Sequence, residues 1–416
     1  MNIHLEEEEE EIENLYGTSL GLLWLYMISK WEFDADKIKG EFLIRKIGTK
    51  EWVVMEDSQL DEVCSKAIFS GCKGVSQKSI KMLLNSHLVD KKDFIVQYLD
   101  RVKKTTTTGS IDKFLNCITT TNQPLWLKYM KKWLVGCVAN VIVKEGCLNH
   151  ICPILTGGQG AGKTTLIQYL LPPELKKYLF NGEFDLNTKK DCYWKLVEYW
   201  IVNLEEQIQA LNRQDANTMK ALITMPDVKG RKPYGFMDTR GYRIGNIIAS
   251  TNEDGFLNDG TGSRRYPSFK ILSINKAAYE KIKINDVWGE AVRLFESKTF
   301  CYWVTAEDAE ELKISNKQFV DASQEHELVE YYFTPVKNKK EATHVCATTF
   351  LHAFMMLETG NKQLSSYRIG KALKSLDFIN DSHKSDDDLY STKKWFFKVT
   401  RVCQSMAVLD AHKYTK

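Results

Sequence analysis

Long hydrophobic runs and paired cysteines are what this sequence of 416 residues lacks. The longest apolar stretch near the N-terminus covers residues 20–28, contains Gly21 and follows no basic segment, whereas a membrane-spanning helix needs about 20 apolar residues. The ten cysteines include no C-x-x-C pair, which argues against zinc ribbons and fingers and favours reduced thiols. We therefore expect a cytoplasmic protein with neither an export signal nor a membrane partner.

Net charge is also small, at +3, but the charged residues are unevenly distributed. Seven glutamates, Glu6–Glu11 and Glu13, precede the first lysine or arginine, Lys30, so the chain from Lys30 onward carries a formal charge of +10. A basic body permits nucleic-acid binding without proving it. The acidic run is consistent with an interaction tail, with a competitor for a basic groove, or with a solubilising end.

A glycine-rich stretch after an apolar run, Ile151–Thr156, has the G-x-x-x-x-G-K-T pattern of a phosphate-binding loop. Its glycines let backbone N–H groups surround a phosphate, and the helix that follows adds the positive end of its dipole. We expect Lys163 to contact the β- and γ-phosphates of ATP and Thr164 to ligate Mg²⁺. The loop consists of Gly157, Gly158, Gln159, Gly160, Ala161, Gly162, Lys163, Thr164 and Thr165.

A second apolar run, residues 199–204, ends in two acids, Glu205 and Glu206. ATP hydrolysis needs one carboxylate to hold Mg²⁺ and another to orient the attacking water. We therefore predict that Glu205 serves the metal and Glu206 the water. Hydrophobic-then-acidic runs are common in proteins, and it is the position after a phosphate loop that gives this one its meaning.

Two further polar positions fit the chemistry of a γ-phosphate. The strand predicted at residues 247–251 ends in Asn252, whose amide could hydrogen-bond the phosphate or the water as a sensor. Arg264 and Arg265 follow a glycine-containing turn, and the planar guanidinium group matches phosphate oxygens. In a ring of identical subunits one of them would complete a neighbour's site; the alternative is a surface salt bridge.

Between these motifs, residues 227–245 predict a hairpin with basic and aromatic residues near its tip. Cations that follow a phosphate backbone and rings that stack on bases are typical of single-stranded DNA binding. The residues expected to contact DNA are Lys229, Arg231, Lys232, Tyr234, Arg240 and Arg243.

Together these motifs resemble the virulence-associated protein E family, helicase-like ATPases of bacterial mobile elements. The resemblance covers roughly residues 90–300 and rests on Gln159–Thr164, Leu204–Glu206, Lys220, Lys232–Tyr234, Ser250–Asn252 and Phe256–Arg265. It implies a superfamily 3 helicase core of AAA+ type that assembles as a ring, usually a hexamer, with the hairpin facing the channel. Glu205 stands where the family has Asp. No primase motif precedes the loop, so we expect no primer synthesis.

The flanking segments predict additional domains. A short helix over residues 20–28, a hairpin over 42–55 and three helices over 60–69, 77–84 and 94–102 form an α+β N-terminal domain, with a first boundary at the threonine run 105–108. Helix, helix, strand, loop and strand over residues 347–399 resemble a winged helix-turn-helix, which binds duplex DNA or contacts protein.

We therefore predict an α/β fold with a P-loop AAA+ type ATPase core. The expected domains are an N-terminal accessory or oligomerisation domain (1–110), the ATPase (111–300), a helical connector (301–340) and a winged helix (341–416). The expected function is that of an ATP-dependent DNA helicase or replication initiator of a mobile element. One alternative is an ATPase that remodels protein complexes. A small-molecule kinase is less favoured, because it would not need the arginine pair, the hairpin or the winged domain.

Overall fold

The structure, a computed structural model, describes residues 17–143, 149–182, 184, 189–205, 219–231, 238–252, 257, 263–319, 324–384, 390–401, 405–410 and 412–414. The chain divides into two compact units, the first formed by residues 1–252 and 265–308, the second by residues 253–264 and 309–416. Helices alternate with parallel and antiparallel strands, so the α/β class is confirmed. Among the described residues, no helix is both long and apolar enough to cross a bilayer.

A small sheet flanked by helices opens the first unit. Its elements are α1 (Ser19–Ile28), β1 (Trp31–Asp36), β2 (Phe42–Lys46), β3 (Val53–Val54), α2 (Asp57–Phe69), α3 (Gln77–Asn85) and β4 (Lys91–Lys92), and the strand order is β3-β2-β1-β4. The predicted helices and the β2–β3 hairpin are confirmed. β1 is not among the predicted strands, although its apolar and acidic residues alternate. Apolar side chains of the helices pack on this sheet, with Leu23, Met27 and Val63 almost fully buried.

Three helices and a short strand connect this sheet to the next. They are α4 (Phe94–Val102), α5 (Ser110–Leu115), β5 (Ile118–Thr120) and α6 (Gln123–Ile142). The threonine run between α4 and α5 is anchored, because the Arg293 guanidinium donates hydrogen bonds to the carbonyls of Thr105 and Thr107. Whether this run is a domain boundary stays a prediction, as do the expected boundaries near residues 300 and 340.

Apolar residues of helix α6 recur at three- and four-residue spacing from Trp126 to Cys137, which predicts one buried face, but the helix is buried on nearly all sides. Even Lys132 is buried, and its ammonium lies 2.7 Å from a carboxylate oxygen of Asp308. Burial alone would raise the pKa of Asp308, but hydrogen bonds from Lys128 and Lys132 hold that pKa well below its usual range. The ion pair lets a charged residue sit inside a buried helix.

The remaining elements of the first unit form the central layer and its cover. They are β6 (Ile154–Thr156), α7 (Lys163–Tyr169), β7 (Leu179–Asn181), α8 (Lys189–Glu198), β8 (Ile201–Glu205), β9 (Asp227–Arg231), β10 (Asp238–Tyr242), β11 (Asn246–Thr251), β12 (Ser268–Ile274), α9 (Lys276–Tyr279) and α10 (Ile284–Glu296). The central sheet has the order β5-β12-β6-β11-β8-β7. Its described strands are parallel except for β5, which pairs antiparallel with β12.

A buried carboxylate joins the N-terminal sheet to the central layer. Asp36, at the end of β1, accepts a hydrogen bond from the Tyr178 hydroxyl at 2.6 Å and pairs with the Lys177 ammonium at 2.5 Å. Both partners belong to the 3-10 turn Pro173–Tyr178 that precedes β7. Since a charge is rarely buried without partners, this junction fixes the two sheets of the first unit against each other.

The second unit has its own core. Its elements are α11 (Ala306–Ser315, which starts before the division at residue 308), α12 (Gln324–Tyr332), β13 (Phe333–Pro335), β14 (His344–Cys346), α13 (Thr348–Thr359), α14 (Ser366–Ser375), β15 (Ile379–His383), β16 (Thr392–Val399) and α15 (Met406–Asp410). β16 pairs with β13, β14 and β15, and the helices bury Phe354 and Leu373 beside Phe397. Gly360 ends α13 in the left-handed region, and Ser365 precedes α14 without a side-chain cap.

Candidate functional site

Three parallel strands of the central sheet bring the predicted site residues to one edge. β11 lies between β6 and β8, with Thr251 opposite Thr156 on one side and Ser250 opposite Glu205 on the other. The glycine-rich loop follows β6, and Asn252 follows β11 directly. Because parallel strands end at the same edge, the glycine-rich loop, Asn252 and Glu205 converge there.

Glycine is required where the loop leaves β6. Gly157 has a φ of 150°, and a Cβ at this position would lie 2.9 Å from the Ile271 carbonyl oxygen on β12. Gly162 has a φ of 84° at the residue that precedes α7. Any side chain would be strained at either position. Because glycine has none, the loop can pass close to β12 and then enter the helix at Lys163.

The Lys163 side chain is 7% exposed and is held by acceptors of the loop itself. Its ammonium donates hydrogen bonds to the carbonyl oxygens of Gly157 at 2.7 Å and Gly158 at 3.0 Å, and to Asn252 Oδ1 at 2.9 Å. Each acceptor is one that a phosphate oxygen could replace, since an ammonium bonds more strongly to a charged acceptor than to a neutral one. Lys163 and Asn252 are therefore linked by a direct hydrogen bond, at a place where a phosphate oxygen could bind.

Thr164 and Glu205 are also in contact, because the Thr164 hydroxyl donates a hydrogen bond to a Glu205 carboxylate oxygen. Glu205 is exposed at the end of β8. A hydroxyl and a carboxylate at one point supply only oxygen ligands, the donor type that Mg²⁺ prefers. These two residues fit the predicted metal site, while Glu206 lies outside the described residues.

Arg265 of the first unit does not lie at this edge of the sheet. The Arg265 carbonyl accepts a hydrogen bond from the Cys152 N–H at 2.7 Å, ahead of β6 and β12, so the Arg265 backbone lies at the opposite, amino-terminal edge of the sheet. Its side chain is half-buried. Arg264 is exposed and belongs to the second unit.

The predicted hairpin is confirmed as the antiparallel pair β9 and β10. Lys229 and Arg231 alternate along β9 and are exposed, and Arg240 lies directly opposite Lys229 on the same face. Arg240 is paired with Asp227 and lies 4.9 Å from the centre of the Tyr242 ring. The opposite face approaches α8, since a Cβ on Gly241 would lie 2.6 Å from Val197. The tip, with Lys232 and Tyr234, lies outside the described residues.

Arg243 corrects one expectation, because it is not on the exposed surface of this hairpin, where a DNA-contacting residue would have to lie. Its side chain is 1% exposed and donates hydrogen bonds to the carbonyls of Gly245 at 2.7 Å, Leu222 at 2.8 Å and Ile223. Leu222 and Ile223 belong to the helical residues 219–224 that precede the hairpin. Carbonyls at the C-terminal end of a helix stabilise a guanidinium group, so Arg243 fixes the base of the hairpin.

Sequence reasoning missed Lys39, which contacts the central layer from the turn after β1. Its ammonium lies 3.2 Å from the centre of the Tyr199 ring, just before β8. Burial lowers the pKa of Lys39 to about 8, although Glu198, Glu41 and Asp36 oppose the change. A single lysine in a polar turn carries no sequence signal for this contact.

Comparisons with known proteins bear on the same region. A family model, the virulence-associated protein E-like domain, matches residues 99–321, which is more than half of the chain. Two solved structures of the NrS-1 C-terminal region, residues 305–718, are similar at 13% identity, each covering 91% of this chain and 99% of that chain. The TM-score is 0.49 for the apo structure and 0.47 for the A form apo structure. Comparison with curated proteins gives no match.

Proposed function

This chain belongs to the virulence-associated protein E-like family, and on that premise we propose that it is an ATP-driven DNA helicase or replication initiator of a mobile element. The observation that carries the proposal is the convergence of Lys163, Asn252 and the Thr164–Glu205 pair at one edge of a parallel sheet. Similarity to the NrS-1 structures is too low to add an argument about activity.

The contacts of the loop indicate how each residue would act. An incoming triphosphate would compete with the Gly157 and Gly158 carbonyls for the Lys163 ammonium. Asn252, already beside that ammonium, would remain at the γ-phosphate and report its presence. Thr164 and Glu205 would hold Mg²⁺, which neutralises charge on the phosphates. Glu206 would orient the attacking water as a general base.

The hairpin supports a role in gripping single-stranded DNA. Lys229, Arg231 and Arg240 share one exposed face, and Tyr242 offers a ring at the same surface. Cations spaced along a strand suit a phosphate backbone, and the binding they give does not depend on sequence. In a ring of subunits, such faces would line the central channel.

The position of Arg265 supports assembly into a ring, usually a hexamer in the family. Its backbone lies at the edge of the sheet opposite the phosphate loop, so it is badly placed to serve its own subunit's γ-phosphate. A neighbouring subunit's nucleotide is the more suitable partner for Arg265 or Arg264. Arginine suits this role because its charge is permanent and its geometry is forked.

The second unit supports an additional contact with duplex DNA. Helix α12, strand β14, helices α13 and α14 and the β15–β16 pair follow each other in the order expected of a winged helix. Helix α14 buries Ile369 and Leu373 and leaves Arg368 and Lys374 exposed. Such a basic, solvent-facing helix suits the major groove of duplex DNA, which a recognition helix enters.

Stimulation of ATP hydrolysis tests this proposal. We expect single-stranded DNA to raise the rate of the purified full chain and an unfolded protein to leave it unchanged. Stimulation by unfolded protein alone would instead identify a protein-remodelling ATPase. Phosphate transfer from ATP to a small molecule, without stimulation by either polymer, would identify a kinase.

A further inference from the structure

A cavity opens beside the N-terminal sheet. None of the residues that line it belongs to the phosphate loop. Its volume is about 480 Å³, and its walls include Trp24, Phe33 and Trp52. The three rings are only partly buried, and the centroids of Trp24 and Phe33 lie 5.9 Å apart with an angle of 34° between the rings. Partly exposed rings around a cavity can stack on a flat ligand.

The charged side chains of this cavity are arranged in two ion pairs. Arg45 Nε donates to Glu32 Oε2 at 2.8 Å, and the Arg45 guanidinium lies 4.6 Å from the centre of the Trp52 ring. Lys92 Nζ lies 2.5 Å from Asp34 Oδ1. Since each cation already has a carboxylate, the cavity does not suit a phosphate group. Its carboxylates retain lone pairs that can accept hydrogen bonds from amino groups.

The backbone of β1 adds donors and acceptors at the same place. The Ala35 N–H donates to the Asp90 carbonyl at 3.1 Å, and the pairing of β1 with β4 begins only at Ala35. In an antiparallel pair, alternate residues direct both their N–H and their C=O to the same edge. Trp31 and Phe33, which also line the cavity, therefore present a donor and an acceptor each at an edge that no described strand covers.

We propose that this cavity binds one base of single-stranded DNA, with a preference for bases that carry an exocyclic amino group over thymine. The rings would stack on the base, the β1 edge would pair with its polar edge, and Glu32 or Asp34 would accept from the amino group. An added peptide strand is a poorer fit, because only Trp31 and Phe33 offer open backbone groups and a ladder needs a longer edge. The inference rests on the proposed function only in taking DNA as the partner.

Binding of fluorescent homopolymers of about 15 nucleotides, measured without ATP at fixed salt, tests the site. We expect the full-length protein to bind oligo(dC) and oligo(dA) more tightly than oligo(dT). Trp52→Ala should weaken binding of oligo(dC) by about five- to tenfold, because one stacked base is lost. Glu32→Gln keeps the shape of the side chain but removes the charge of the carboxylate that accepts from the amino group. It should therefore reduce the difference in affinity between oligo(dC) and oligo(dT). Trp303→Ala removes a tryptophan that is 56% exposed elsewhere in the first unit, and it should change neither value.

Equal binding of all three homopolymers by the wild type, or unchanged binding by folded Trp52→Ala and Glu32→Gln proteins, would overturn the base site. So would saturable binding of a peptide, but of no oligonucleotide, that Trp52→Ala abolishes. ATP hydrolysis stimulated by DNA is measured separately on the same variants. If it persists while the base preference is absent, the inference fails and the proposed function stands.

Discussion

The Lys163 ammonium and the Asn252 side-chain oxygen lie 2.9 Å apart, so the phosphate-loop lysine is bonded to the residue expected to sense the γ-phosphate. The bond joins the start of α7 to the end of β11. A nucleotide bound as proposed would therefore compete with Asn252 as well as with the loop carbonyls for the same ammonium.

Substitutions at Asn252 should separate binding from hydrolysis. Asn252→Ala removes one competitor for Lys163, so we expect nucleotide affinity to be kept or raised by at most about tenfold, while hydrolysis falls on the order of 100-fold as a transition-state contact is lost. Asn252→Asp keeps the size but places a negative charge beside Lys163, and it should weaken nucleotide binding. Titration with a fluorescent ATP analogue and steady-state hydrolysis measure the two effects; weaker binding by both variants would contradict this reading.

Glu205, which ends β8, and Glu206, which follows it in sequence, should have different functions. We expect Lys163→Ala to abolish nucleotide turnover, and Glu206→Gln to bind ATP without cleaving it, because Lys163 contacts phosphate whereas Glu206 positions water. Filter binding of labelled ATP and release of phosphate distinguish the two defects. Normal turnover by Glu206→Gln, with loss in Glu205→Gln instead, would show that the two functions are reversed.

Mixed oligomers test whether an arginine acts on a neighbouring subunit. If Arg264 completes the adjacent site, Arg264→Ala and Glu206→Gln subunits are each inactive alone, but mixing them creates some interfaces with both groups intact. Hydrolysis by the mixture should then exceed the sum of the separate proteins, with Arg265→Ala mixed in the same way as the matched comparison. A protein that stays monomeric with ATP and DNA, yet is fully active, would exclude this assignment.

Residues at the tip and at the base of the hairpin should respond differently. Lys232→Ala should retain basal hydrolysis and lose both DNA stimulation and unwinding, and each lost phosphate contact should reduce the slope of log affinity against log salt by about one. Lys229→Ala, on the exposed face of β9, should reduce the same slope without lowering the melting temperature. An unstable, hydrolysis-dead Lys232→Ala protein that still binds DNA would contradict a channel role.

Arg243→Met is the matched contrast, since Arg243 is buried at the hairpin base. This substitution leaves three backbone carbonyls without their donor. We therefore expect the free energy of unfolding to fall by on the order of 3 kcal/mol. Thermal melting measures this, and basal hydrolysis should fall together with stability. A stable Arg243→Met protein that only loses DNA affinity would restore Arg243 to the DNA-binding surface.

The half-buried side chain of Lys39 should make stability depend on pH. Its pKa is about 8 in the folded chain, below the ordinary value of 10.5, because burial disfavours the charged form. The unfolded chain therefore binds more protons between these values, and the free energy of unfolding should rise as pH increases from about 8 to about 10.5. Lys39→Met should remove that rise, whereas the exposed neighbour Lys37→Met should keep it. Denaturant unfolding from neutral to alkaline pH measures the difference between variants; a constant difference would contradict a depressed pKa.

Local patterns predict the strands and the loop that carry the candidate site, because each of these depends on short-range signals. The phosphate loop, the acidic strand end and Asn252 are each readable within a few residues. Burial of an individual cation is not. Arg243 and Lys229 are both basic residues of one predicted hairpin, and only the helix that packs at its base distinguishes them. The contact of Lys39 with Tyr199 joins segments far apart in sequence and has no local pattern.

The ion pair between Lys132 of helix α6 and Asp308 of helix α11 affects how the chain can fold during synthesis. Lys132 finds its carboxylate 176 residues later, at Asp308, and β5 finds its partner strand only at β12. During synthesis from the N-terminus, α6 emerges long before either partner exists. The apolar side chains and the lysine of α6 therefore stay without their packing partners until nearly the whole first unit has been synthesised. We therefore expect the first unit to fold late and slowly, and to depend on protection from aggregation while it is incomplete.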